Sequence, residues 1–159
     1  MRALPGWVKF LKVPPEIRGH FPDMKTISHH AALVYVMVIV SAADGAMNDK
    51  ELMAIGELTR RLPVFAGFDR DRLLALAQDC SAILQEDDGI TAVLGLVKDA
   101  LPDHLCETAY WLALEVALID SRVVLEEIRV IEALRRALGL DKLIAAALER
   151  GARARYQVA

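Results

Sequence analysis

Residues 29–64 read HHAALVYVMVIVSAADGAMNDKELMAIGELTRRLPV, and residues 105–140 read LCETAYWLALEVALIDSRVVLEEIRVIEALRRALGL. The second stretch lies 76 positions after the first and repeats its hydrophobic phase throughout. Val40, Asp44, Glu51, Leu58, Arg60 and Leu62 meet Val116, Asp120, Glu127, Leu134, Arg136 and Leu138, and Tyr35 meets Trp111. Self-similarity at a fixed offset predicts two structurally equivalent units. Each unit reads as an apolar helix, a short turn and an amphipathic helix.

The first helix of the pair, from Thr26 or Ser28 to about Ala43, is apolar nearly all round and belongs at the centre of the domain. Its longest apolar run, Ala31 to Ala43, spans about 20 Å, short of the ~30 Å a membrane crossing needs. Asp44-Gly45 ends it, with Gly45 suited to a left-handed position. Asn48 and Glu51 form a capping box that opens a helix to about Leu62, with Leu52, Ile55, Leu58 and Leu62 on one stripe.

Between the units, Asp69 or Asp71 caps a helix to about Gln85, Asp87-Asp88-Gly89 is a turn, and a shorter helix covers Ile90 to Ala100. Pro102 breaks the chain and Asp103 caps the next helix, to about Ile119. A helix from about Val124 to Leu138 follows, with Ile128, Ile131, Leu134 and Leu138 inward; Gly139 ends it, and Asp141 caps a last helix that frays over Arg150–Arg155. The expected fold is all-α, a compact bundle of about seven helices around two repeated helix–turn–helix hairpins.

Residues 1–25 differ from the rest. They hold four of the six prolines, five basic and two acidic residues, and the apolar Trp7, Phe10, Leu11 and Phe21. Pro14-Pro15 forbids a continuous helix there, so only a short one near Trp7 to Lys12 is expected. Two domains of organisation follow: an N-terminal arm over 1–25 and the helical domain over 26–159. The arm either packs its aromatics on the bundle or meets a membrane surface or partner, since Trp7, Phe10 and Leu11 are interleaved with Lys9 and Lys12.

Composition narrows the function. The chain has 159 residues, 55% of them apolar, and a formal net charge of −3. That is long enough for one self-sufficient core, excludes disorder, and argues against nucleic acid as a partner. No signal-peptide pattern is read at the start, and the expected location is cytoplasmic. Cys80 and Cys106 lack metal-type spacing and read as buried thiols. Among the serines no G-x-S-x-G setting occurs, and there is neither a Walker loop nor G-x-G-x-x-G. A di-iron site would need paired Glu-x-x-His motifs, which are missing. The chain reads as no enzyme.

What remains are the acids of the two turns. Asp44 and Glu51 recur as Asp120 and Glu127 at the same separation of seven. In the first unit, a turn dipeptide and a cap explain them. In the second, Gly45 becomes Ser121 and Asn48 becomes Val124, yet the acids stay. Asp44 and Asp120 also face the negative end of a helix dipole, which something must offset: a backbone N–H, an arginine or a cation. Four carboxylates suit a hard divalent cation such as calcium or magnesium, although no EF-hand loop is present. The competing reading has each acid cap a helix or pair with Arg60, Arg61, Arg122, Arg129 or Arg136.

The string Ala42-Ala43-Asp44-Gly45-Ala46-Met47-Asn48-Asp49-Lys50-Glu51, ahead of Leu52, Ile55 and Leu58, resembles the first hairpin of tellurite-resistance TerB-like domains, with their A-D-G-x-apolar-x-x-x-E signature. Ala117-Leu118-Ile119-Asp120, Glu126-Glu127-Ile128 and Leu138-Gly139-Leu140 resemble the second hairpin, which departs from the fuller Asp-Gly form at Ser121. The resemblance covers roughly residues 26–150. It implies an all-α fold, a bacterial stress context including tellurite resistance, and no catalytic activity. It also implies metal binding by Asp44, Glu51, Asp120 and Glu127, with calcium, magnesium or manganese expected ahead of zinc. Such domains also occur in membrane-anchored co-chaperones beside a J-domain; His20-Phe21-Pro22-Asp23 is not the His-Pro-Asp of that domain. The partners expected are proteins, membrane-associated ones among them, or a second copy of the chain as a homodimer.

Overall fold

The computed structural model describes residues 26–45, 47–120 and 122–159. Among them are seven α-helices and no strand: α1 His29–Ser41, α2 Asp49–Arg61, α3 Leu73–Leu84, α4 Gly89–Ala100, α5 Cys106–Ala117, α6 Leu125–Leu138 and α7 Lys142–Arg155. Short 3-10 turns at Pro63–Phe65, Arg70–Arg72 and Asp103–Leu105 link them. The expected arm over 1–25, with its short helix near Trp7 to Lys12, lies outside the described residues.

The helix that is apolar all round takes the centre. Every residue of α1 from Ala31 to Ser41 is buried. It packs on α5, α3 and α4 and touches α6 and α2. An apolar stripe on one side would leave the other in water; α1 has no such side, so helices must cover it all round. The two central helices, α1 and α5, are the repeat partners, and they lie against each other. No helix among the described residues is long and apolar enough to cross a membrane.

Local chemistry sets most boundaries. Ser28 caps α1 by accepting from the Ala31 N–H at 3.1 Å. Asn48 and Glu51 form the full reciprocal capping box of α2. Asp141 accepts from Leu143 N–H at 2.8 Å to open α7. Gly139 closes α6 at φ 67°, a left-handed position that only glycine takes without cost.

Several expectations shift. Asp69 caps the Arg70–Arg72 turn, not a long helix, and α3 begins at Leu73. Asp103 makes no side-chain cap; it lies inside a 3-10 turn that follows Pro102, and α5 begins at Cys106. The helix α1 stops at Ser41, with Ala42 still right-handed, so Gly45 is not its cap. Gly45 instead sits later in the turn at φ 141°. Ile128 is half in water, and Val130 takes the inward place expected of it. The last helix does not fray at Arg150 but stays regular to Arg155, held by contacts with α5.

Candidate functional site

The two hairpins, α1–α2 and α5–α6, each present an elbow, residues 42–48 and 118–124, and the second elbow meets the start of α2. Lys50, at the start of α2, reaches Asp120 of the other elbow at 3.1 Å. The two glutamates feel the charges of the other predicted acids. Glu51 is pushed above the ordinary carboxylate range, first by burial, with the charges of Asp120 and Asp44 adding to it and the Asn48 N–H opposing it. Glu127 is pushed the same way, first by burial and then by Asp44, Glu51 and Asp120, against the Val124 N–H. Like charges gathered at a partly dry position each favour the protonated form of their neighbours.

The repeat is preserved to the atom at the glutamates. Glu51 Oε2 accepts from Asn48 N–H at 2.9 Å, and Glu127 Oε2 accepts from Val124 N–H at 2.9 Å. Both side chains are the third residue of their helix, and both are buried, with 5% and 7% of their surface exposed. Only the first elbow returns the favour: Asn48 Oδ1 accepts from Glu51 N–H at 2.9 Å. Val124 has no acceptor to offer, so α6 keeps half of the box.

The aspartates differ from the glutamates. Asp44 and Asp120 are both exposed on their turns. Asp120 spends one oxygen on Lys50. No arginine or lysine pairs with Glu51 or Glu127 among the described residues. Of the arginines expected to neutralise them, Arg60 and Arg61 pair with Glu57 and Arg136 pairs with Glu132, while Arg122 and Arg129 form no ion pair among the described residues.

The donor set has the hard oxygens a calcium or magnesium ion takes. Its arrangement is looser than a cage. Among the described residues no three His, Cys, Asp or Glu side chains are gathered as ligands of one metal ion. Each buried glutamate has already given one oxygen to a helix end.

Other candidate chemistry finds structural employment. His30 Nε2 donates to the Val64 carbonyl at 2.9 Å and its ring stacks on Phe65. Burial and the neighbouring His30 lower His29. Both cysteines are buried and free, and burial pushes Cys80 up to about 12 and Cys106 above its usual value.

One polar cluster is silent in the sequence. Glu115, in the apolar run of α5, is 2% exposed. Its Oε2 accepts from the Tyr156 O–H at 2.6 Å, and Arg155 Nε lies 3.1 Å from Oε1 without aligning to donate. Further along the same interface the Tyr110 O–H donates to Glu149 Oε1 at 2.7 Å. Two tyrosine–glutamate bonds of opposite sense thus fasten α7 to α5. Their partners are about forty residues apart in the chain, so no local spacing announces them.

No protein-family model matches the chain, and no curated protein or solved structure matches it either.

Proposed function

We propose that the chain is a non-catalytic, TerB-like helical module of the stress-associated, tellurite-resistance kind, whose elbow end takes up a divalent cation through Asp44, Glu51, Asp120 and Glu127. Calcium, magnesium or manganese fits the oxygen donors better than zinc, which favours His and Cys ligands. The observation that carries this reading is a pair of buried glutamates without a basic partner among the described residues, each raised first by burial and then by the charges of acids from both hairpins. A cation there would relieve that repulsion and tie the hairpins together.

Thermal melts of the whole chain with EDTA, Ca²⁺, Mg²⁺, Mn²⁺ and Zn²⁺ test it. An ion at a hundred times its dissociation constant adds about 2.7 kcal/mol, or roughly 5–10 °C for a chain of this size. The combined substitution Asp44→Asn and Asp120→Asn should abolish that rise. If no ion moves the midpoint, or the variant responds as the parent does, the cation reading fails.

A second reading has its own support. Each acid except Asp44 already serves the fold, Glu51 and Glu127 as caps and Asp120 as the partner of Lys50. On that reading the module is a protein-interaction adaptor with no metal, and an ion-independent melt is its signature.

A further inference from the structure

At the end of the hairpins opposite the elbows lies an apolar groove of about 400 Å³, lined by Leu62, Pro63, Val64, Glu107, Thr108, Trp111 and Leu148. We propose that this groove is the docking site of the chain's own N-terminal stretch, which enters through Trp7, Phe10 and Leu11.

Three observations point to that occupant. The first is where the described chain starts. Ser28 caps α1, and His30, two residues on, donates to the carbonyl of Val64, itself a groove residue. The N-terminal end of α1 therefore lies beside the groove. The fifteen steps from Leu11 to Thr26 span up to about 50 Å when extended, so reach is no obstacle.

The second observation is chemical match. Leu62, Val64, Trp111 and Leu148 are half-buried and apolar. The segment Trp7-Val8-Lys9-Phe10-Leu11-Lys12 supplies large apolar side chains on a stretch that lacks enough of them to form a core of its own. Aromatic side chains bury the most surface per residue fixed.

Charge is the third. Residues 1–25 carry five basic and two acidic residues, and residues 26–159 carry fourteen and twenty. The one charged residue of the groove wall among the described residues is Glu107, which is exposed and which Lys9 or Lys12 would meet. Tethering favours this occupant over a free partner, because a short linker holds the segment at an effective concentration in the millimolar range.

The chain contains two tryptophans, Trp7 and Trp111, and Trp111 lines the groove, so Trp7 is read as the difference in emission between the whole protein and Trp7→Phe, a pair that leaves the groove wall intact. The expected result is a blue-shifted Trp7 emission, shielded from acrylamide, unchanged on dilution and unchanged by anionic vesicles. The same difference, measured with Leu148→Arg in both proteins, should return to the emission of a free residue. Glu107→Lys, at an exposed position that folding tolerates, should weaken the shielding, and added salt should do the same. Fully solvent-exposed Trp7 overturns the proposal. So does shielding that grows with protein concentration, which would place the segment on a second copy. Shielding that arises only with vesicles also overturns it, because it would make the segment a membrane anchor. None of these readouts depends on a cation, so this result and the elbow reading stand or fall separately.

Discussion

The two hairpins share a plan but not a finish. In both, a central helix ends at an acidic elbow, and the next helix begins with a glutamate that turns back to its own cap. In the first hairpin the inner helix α1 is buried from Ala31 to Ser41 by neighbours on every side. In the second, α5 keeps one polar seam, Glu115 with Tyr156 and Tyr110 with Glu149, for the docking of α7. The first elbow has a complete capping box and the second has half of one. Duplicated geometry therefore survives where it serves both halves, at the glutamates and the hydrophobic phase. It has drifted where one half has acquired an extra neighbour.

The largest expected contrast lies in the core. Leu134 is fully buried, whereas its counterpart Leu58 is only partly so. Leu134→Ala should cost about 2–5 kcal/mol, by loss of transfer free energy and the cavity left behind. Leu58→Ala should cost clearly less, because water and mobile side chains fill the space. Urea unfolding of both variants measures the difference. Equal losses would show that the two hairpins are packed alike and that the exposure of Leu58 carries no energetic weight.

The caps should give the next largest effect. Asn48→Ala removes the acceptor for Glu51 N–H and should cost about 1 kcal/mol. The same change at Val124 has no cap to remove. Val124→Asn, by contrast, supplies the missing acceptor to Glu127 N–H and should add stability of similar size, less whatever Val124 contributes by its partial burial. Opposite signs from the two sites would make the asymmetry of the elbows a matter of one side chain.

Acid titration should separate the elbows from the surface. Glu51 and Glu127 hold their protons more tightly when folded than when unfolded, so their charged forms weaken the fold above the raised value. Acidification from neutral toward about 4.5 therefore relieves them and stability rises. Glu132 acts in the opposite direction: Arg135, helped by Arg136, pulls it down to about 2. Its contribution is present above about 4.5 and is lost as pH falls toward 2. It is small, because Glu132 is 43% exposed and water screens the pair. The melting midpoint should rise gently and then fall. Glu51→Gln with Glu127→Gln, which keeps both cap acceptors, should remove the rise and leave the fall. A midpoint that drops throughout in the parent would show that the burial of the two glutamates among other acids has no thermodynamic consequence.

Much of this architecture was legible in the chain itself. Asn48 and Glu51 announce a helix start because the cap needs those two groups three residues apart. The 76-residue offset put Asp44 and Asp120 at matching elbows, and the all-round apolar character of α1 placed it at the centre. The parts that were not legible are tertiary. The burial of Glu115 depends on Tyr156, far along the chain. The helix phase alone gave Ile128 an inward position, but the contacts of α6 with α5, α1 and α4 select Val130 instead. Asp103 has the chemistry of a cap, yet Pro102 starts a tighter turn there and leaves it none to make.

The smallest effect tests the comparison where it is least symmetrical. Ser41, the last residue of α1, is fully buried, and its hydroxyl finds no partner among the described residues. The equivalent residue at the end of α5 is Ala117, also buried. A buried hydroxyl without a partner loses its hydration and gains nothing in exchange. Ser41→Ala removes that penalty and leaves a space only one oxygen in size. The variant should melt at or slightly above the parent, by a few tenths of a kcal/mol. A loss of about 1 kcal/mol or more would mean that Ser41 has a hydrogen-bond partner in solution, and that the first elbow is held by a contact its twin has dispensed with.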